Sequence, residues 1–264
     1  MPEPVRDLGR LEQRLSAVEA VQQVMRAVWA LARAQQPHAE AAAAEAGAYF
    51  DTAASIVARL AGEPHIDHED PDVLWVLVGP ERAFCGPLAR MLLDQLPETG
   101  AVGLAGARLI EVARQLPSVA DRVAFEVGAA STAGELGVCA DRLATQILAA
   151  PRPMVVLLHP DRGTPTLRRS VLLAGAVAPV TEPPETFLPP EEVLEAAVGE
   201  LVAGRLAVAL AEALRAEVRA RLTAAEAARR ACDRQLDELR YQWRALRQAS
   251  ITQELLELTA GRRA

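Results

Sequence analysis

The chain has 264 residues, 51% of them hydrophobic, which is ample for one or two domains with a buried core. A formal net charge of -7 argues against a general nucleic-acid binder. All 28 basic side chains are Arg, so a lysine-dependent phosphate loop, a Schiff base and a lysine general base are excluded. Three widely spaced cysteines, Cys85, Cys139 and Cys232, fit a reducing compartment better than a disulfide framework. The opening Met1-Pro2-Glu3-Pro4 predicts neither a signal nor a transit peptide. No apolar run approaches the roughly 20 residues needed to span a bilayer, so membrane association is expected only through partners.

Leu8, Leu11, Leu15, Val18, Gln22, Met25, Trp29 and Ala32 recur at steps of three and four, the seam of a helix built to pack on another helix. That helix is expected to end before Pro37, whose ring disfavours helical geometry at the preceding residue. A second helix is predicted over His38 to Leu60, closed by Gly62-Glu63-Pro64. The His65-to-Asp72 segment gathers two His and several carboxylates. It offers no third ligand at fixed helical spacing, and reads as a solvated linker rather than a metal site.

From Asp72 strand and helix patterns alternate. Strands are predicted at Val73 to Val78, Ala101 to Ala105, Val123 to Val127, Met154 to Leu158 and Ser170 to Val180. Helices fall at Pro87 to Leu96, Ala107 to Gln115, and from a capping box at Thr132-Ala133-Gly134-Glu135 to Ala149. This order predicts a Rossmann-like, largely parallel sheet with helices on both faces. The turn after the first strand, Gly79-Pro80-Glu81-Arg82-Ala83-Phe84-Cys85-Gly86, is neither a dinucleotide fingerprint nor a Walker loop, so no nucleotide cofactor is expected. Cys85 at this turn has two readings: a thiol activated by a helix N-terminus and Arg82, or, preferred, a small apolar residue packing at the turn.

After a proline-rich connector, Pro179 to Pro190, the last third of the chain carries a second seam. Leu214, Val218, Leu222, Ala225, Cys232, Leu236, Leu239, Trp243 and Leu246 line it. Neither Gly nor Pro interrupts the chain between Arg205 and Ala260, giving a helix of roughly 80 Å. Two terminal seams around a compact middle predict an antiparallel coiled coil of N- and C-terminal helices, with part of the longer helix projecting alone or lying on the middle domain. Glu217 and Arg221, one turn apart, read as an exposed ion pair worth about 0.3–0.5 kcal/mol. The fold class is therefore α/β, with 1–62 the N-terminal helices, 72–190 the sheet domain and 191–264 the long C-terminal helix.

Arg247-Gln248-Ala249-Ser250-Ile251-Thr252-Gln253-Glu254-Leu255-Leu256-Glu257-Leu258, with Gly261 beyond, resembles the C-terminal signature of the gamma subunit of F-type ATP synthases. Ala216-Glu217-Val218-Arg219-Ala220-Arg221-Leu222 is similar to that family's Ser-Glu-x-x-Ala-Arg-Met segment. Ala17-Val18 followed by Gln22-Gln23-Val24-Met25-Arg26-Ala27 matches its first helix, and Glu81-Arg82-Ala83-Phe84-Cys85-Gly86 its Asp-Arg-Gly-Leu-Cys-Gly turn. Departures at Val21, Gln23, Val28, Ala225, Ala231 and Arg244 suggest a divergent member, as in an alternative rather than a housekeeping ATPase.

The resemblance implies a central rotor shaft with no catalytic, cofactor or metal site of its own. It couples ion flow through a membrane ring to ATP synthesis or hydrolysis in the head. The implied partners are the alpha and beta subunits of the head, an epsilon-type subunit and the membrane c-ring, with no nucleic acid and no direct membrane span. The implied location is the cytoplasmic face of a bacterial inner membrane. It also marks Gln22, Arg26, Arg221, Arg247, Gln248 and Thr252 as shaft-to-head contacts. Taken without the resemblance, the residues also admit an α/β enzyme that dimerises through long helices, or a coiled-coil adaptor.

Overall fold

The computed structural model describes residues 3–61, 73–150, 152, 154–162, 167–174 and 185–261. The His65-to-Asp72 segment and most of the proline-rich connector lie outside them. The elements in chain order are helix α1 (Glu3–Leu60), strand β1 (Val73–Val78), α2 (Leu88–Leu93), β2 (Ala101–Ala105), α3 (Ala107–Ala113), α4 (Pro117–Ala120), β3 (Val123–Val127), a 3-10 turn (Ala133–Glu135), α5 (Leu136–Ala149), β4 (Met154–Pro160), β5 (Leu167–Ala174) and α6 (Pro190–Gly261). They form two compact units, one of Met1–Leu31 with Leu222–Ala264, the other Ala32–Arg221.

Pro37 does not end the first helix: α1 runs unbroken through it. The seam explains why. Ala32, Ala39 and Ala43 are buried on either side of Pro37, continuing the seven-residue repeat of Leu11, Val18 and Met25, while Pro37 itself faces solvent. A proline there removes one hydrogen bond to the Arg33 carbonyl, and burial of the continuing seam outweighs that loss.

In the first unit α1 and α6 pack antiparallel. The Trp243 indole donates to Glu12 at 3.1 Å, Arg240 to Glu19 at 3.0 Å, and the Gln22 amide to Asp233. The guanidinium of Arg229 lies 5.3 Å from the centre of the Trp29 ring. Residue numbers rise along one helix as they fall along the other, the pairing that two terminal seams predict. Leu8, Leu11, Met25, Cys232, Leu236 and Leu239 are buried in the seam.

The second unit holds a five-stranded sheet in the order β3-β2-β1-β4-β5. β1 to β4 run parallel, and β5 reverses against β4. The last strand begins at Leu167, three residues earlier than expected, and residues 175–180 lie outside the described part. Side chains alternate across β1, and both faces are buried. Leu74, Val76 and Val78 meet Leu143 of α5 with Leu206 and Leu210 of α6. Leu77 meets Leu92 of α2, Leu109 of α3 and Ala216 of α6. The long C-terminal helix therefore supplies core to the sheet as well as a strand of the coiled coil. Gly204 permits close approach of α1, since a Cβ there would lie 3.2 Å from the Phe50 Cα.

The Thr132 capping box is not formed in the expected register. No Thr132 side-chain bond caps the turn; the Glu135 carboxylate instead accepts the Ser131 amide at 2.8 Å, one residue earlier. The first turn is 3-10, which shifts the geometry that the box requires.

Candidate functional site

The C-terminal ends of β1, β2 and β3 converge where open α/β sheets bind ligands. Here two carboxylates of the chain itself fill the place. Glu217 of α6, 2% exposed, accepts the backbone amides of Glu81 at 2.7 Å and Arg82 at 3.3 Å in the loop after β1. The Glu81 carboxylate in turn accepts the amide of Ala107, which opens α3, and that of Ala129 after β3, both at 2.8 Å. Gly106 makes this junction possible. Its φ of 125° is one that L side chains rarely adopt, and a Cβ would sit 2.7 Å from the Gly79 and Pro80 carbonyls.

Arg221 lies one turn beyond Glu217, its Nη1 3.8 Å from the carboxylate, and is 5% exposed. The expected exposed ion pair is thus a buried one, because this turn of α6 faces the loop after β1 rather than solvent. Its Nε and Nη1 have no hydrogen-bond partner. Burial raises the Glu217 carboxyl above its ordinary value against the pull of the two backbone amides and Arg221. Burial lowers the Arg221 guanidinium against the opposing effect of Glu217. In both groups desolvation outweighs pairing, so the pair does not by itself stabilise the fold. It fixes the rotation of α6 against the loop.

Cys85 is buried at the same turn. Burial, and then the Glu217 charge, push its thiol up, the opposite of what an activated nucleophile needs. Among the described residues no group of three His, Cys, Asp or Glu is placed to hold a metal ion.

The residues marked as head contacts divide into two sets. Gln22 and Arg221 are turned inward, 8% and 5% exposed, Gln22 bonding Asp233 across the coiled coil. Arg26, Arg247, Gln248 and Thr252 are exposed, with the Thr252 hydroxyl donating to the Gln248 carbonyl at 2.9 Å. Beyond them Leu255, Leu256 and Leu258 stand more than half exposed at the end of α6. The sequence reading missed the Glu81 and Glu217 clamp, since 136 residues separate the partners. The one signal pointing to it is that both lie within segments of the resemblance.

A protein-family model described as ATP synthase matches residues 7–264. Among curated proteins none matches the chain. Of solved structures, the chain is similar to one from the rotor of Euglena gracilis mitochondrial ATP synthase in rotational state 1. The identity is 11% and the TM-score 0.66, covering 93% of this chain and 99% of that one. A chain of the Euglena gracilis OSCP/F1/c-ring assembly in rotational state 3 gives 13% and 0.67, covering 97% and 93%. One from the central stalk and c-ring of Tetrahymena thermophila mitochondrial ATP synthase gives 13% and 0.53, covering 78% and 99%. At these identities the likeness establishes the fold.

Proposed function

Because the chain belongs to the gamma family of F-type ATP synthases and so has the role of a rotor shaft, we propose that its exposed tip engages the catalytic head. The shaft itself breaks no bond. The observation that supports this is the end of α6, where Leu255, Leu256 and Leu258 project beside the exposed Arg247, Gln248 and Thr252. An apolar cluster of this kind on a helix end calls for a partner surface, and the polar residues next to it supply direction. The head's alpha and beta subunits are the proposed sleeve. The sheet unit is the proposed foot, resting with an epsilon-type subunit on the membrane c-ring at the cytoplasmic face of a bacterial inner membrane. Among the described residues no helix is long and apolar enough to cross a membrane, and the proposed attachment is through the complex.

Arg26, Arg247, Gln248 and Thr252 are the proposed direct contacts. Gln22 and Arg221 act on the head from within, by holding the two helices and the shaft surface in register. Rotation of an asymmetric shaft then presents a different surface to each catalytic subunit, and differential contact shifts each between its open and closed states.

The test is Arg247→Ala with Gln248→Ala. Removing a charge-assisted hydrogen bond to the head at one rotor angle costs about 1.5–3 kcal/mol, while truncating two exposed residues changes the chain's own stability by less than about 0.5 kcal/mol per site. Lower turnover or ion pumping in the assembled complex, with an unchanged melting curve, is the expected pair of results. Wild-type turnover and pumping would exclude both residues from the shaft-to-head interface.

A further inference from the structure

Beside β5, the last strand of the described sheet, lies a cavity of about 730 Å³. Its described lining includes Arg168, Arg169 and Arg205 and contains no carboxylate, although the chain as a whole carries seven excess negative charges. Strand alternation separates the three. Arg168 lies opposite His159 in register and Arg169 opposite Leu158, so they point to opposite faces. Arg169 stacks over the Trp75 ring at 5.7 Å.

Arg205 enters from α6 on the side of Arg168. It donates to the Val171 carbonyl and lies 5.3 Å from the centre of the Phe50 ring, and its Nε has no hydrogen-bond partner. Burial, and then the charge of Arg168, lower the Arg205 guanidinium below its ordinary value, as two cations sharing one cavity require. Of the acids on the adjoining side, Asp161 and Glu212 are already engaged and Asp51 is exposed. Asp161 faces Arg168 at 3.9 Å, and Glu212 takes two bonds from Arg215. The polar face is completed by Ser170, whose hydroxyl lies 3.4 Å from the imidazole of the buried His159. Phe50 and Val208 give the same cavity an apolar wall.

We propose that this cavity binds a small phosphate ester, its phosphate held between Arg168 and Arg205 beside Ser170 and its apolar body against Phe50 and Val208. Two guanidinium forks match a dianionic phosphate better than a single carboxylate, which one fork satisfies. The site lies wholly within the sheet unit, away from the β1 loop that Glu81 and Glu217 close, and it is independent of the rotor reading.

Calorimetric titration of the full chain with phenyl phosphate at low salt tests it, with inorganic phosphate and phenol as the two half-ligands. The expected result is one saturable site that binds phenyl phosphate more tightly than either half. Arg168→Gln and Arg205→Gln should each weaken it by about tenfold or more, the scale of one charge-assisted hydrogen bond. Arg90→Gln, at an exposed position of α2 outside the cavity lining, should leave it unchanged. Arg205 also holds a β5 carbonyl, so if Arg205→Gln fails to fold, the exposed Arg168→Gln decides the matter. No saturable binding at millimolar ligand would overturn the proposal. So would phosphate binding as tightly as its ester, or Arg90→Gln weakening the site as much as Arg168→Gln.

Discussion

Removing the Glu217 carboxylate should be among the most destabilising single changes in the sheet unit. Glu217→Ala strips the acceptor from the Glu81 and Arg82 amides and leaves the Arg221 guanidinium, 5% exposed, with no opposing charge. Breaking a buried pair from one side costs about 3–5 kcal/mol, and an amide stranded without water about 1–3 kcal/mol more. Water entering the space left by the side chain would relieve part of the second figure, so about 4 kcal/mol is expected. Glu217→Gln keeps an acceptor for the amides but sets an amide group against Arg221, and should cost about 2–3 kcal/mol. Glu217→Gln combined with Arg221→Met removes the stranded charge as well, and should recover to within about 1.5 kcal/mol of the parent. Urea unfolding of the full chain, followed by far-ultraviolet circular dichroism, measures all three. Because burial raises the Glu217 carboxyl, its protonated form is favoured on folding. The parent therefore gains stability as pH falls toward the ordinary carboxylate range while the non-titrating Glu217→Gln does not, so the penalty of that substitution should grow. A Glu217→Ala cost below about 1 kcal/mol, or a double variant no better than Glu217→Gln, would refute the argument that a buried charge pair holds α6 to the loop.

Burial lowers the His159 imidazole to about 4, so its contribution to stability is present above the unfolded value near 6.5 and is lost as pH falls toward 4. This amounts to about 2 kcal/mol by pH 5, and His159→Gln should flatten that part of the pH–stability curve. In the coiled coil, the Trp243 to Glu12 bond sets a register that places Leu246 near Leu11. Cysteines at those two positions, in a background lacking the native three, should close an intramolecular disulfide, and failure of every pair within one turn would refute the antiparallel packing. Leu210→Ala, at a fully buried position of α6 against the sheet, should cost about 2–5 kcal/mol. Leu255→Ala, more than half exposed, should change the isolated chain by less than about 0.5 kcal/mol while weakening assembly with the head.

The two seams were legible in the sequence because helix packing writes itself locally, at steps of three and four, and a burial pattern of that kind survives even a proline. Pro37 misled because proline's local cost is visible in one residue, whereas the compensating burial of Ala32, Ala39 and Ala43 is spread over three turns. The buried strands were equally plain as short apolar runs, and their boundaries held within three residues where they are described. What a single sequence does not carry is pairing. Glu217 and Arg221 have the spacing of a surface ion pair, and only the loop after β1, far away in the chain, makes them interior. The Arg168, Arg205 and Phe50 cavity is hidden for the same reason, since its parts come from β5, α6 and α1.

The position of the clamp bears on how a sheet of this topology serves in a rotor. Had the amides after β1 stayed open, they would form the anion cradle that open α/β sheets present to ligands. Glu217 arrives there from α6, so the carboxylate that closes the cradle also prevents this segment of the helix from turning against the sheet. A water or a ligand in the same place would satisfy the amides without resisting rotation. A carboxylate covalently part of the helix does both, and the backbone bonds fix its direction more tightly than a pair of surface charges would. The energetic weakness of the Glu217 and Arg221 pair is then no contradiction. Its role is angular, holding one face of α6 toward the loop, and the buried apolar packing of Leu206, Leu210 and Ala216 supplies the stability that the charges do not.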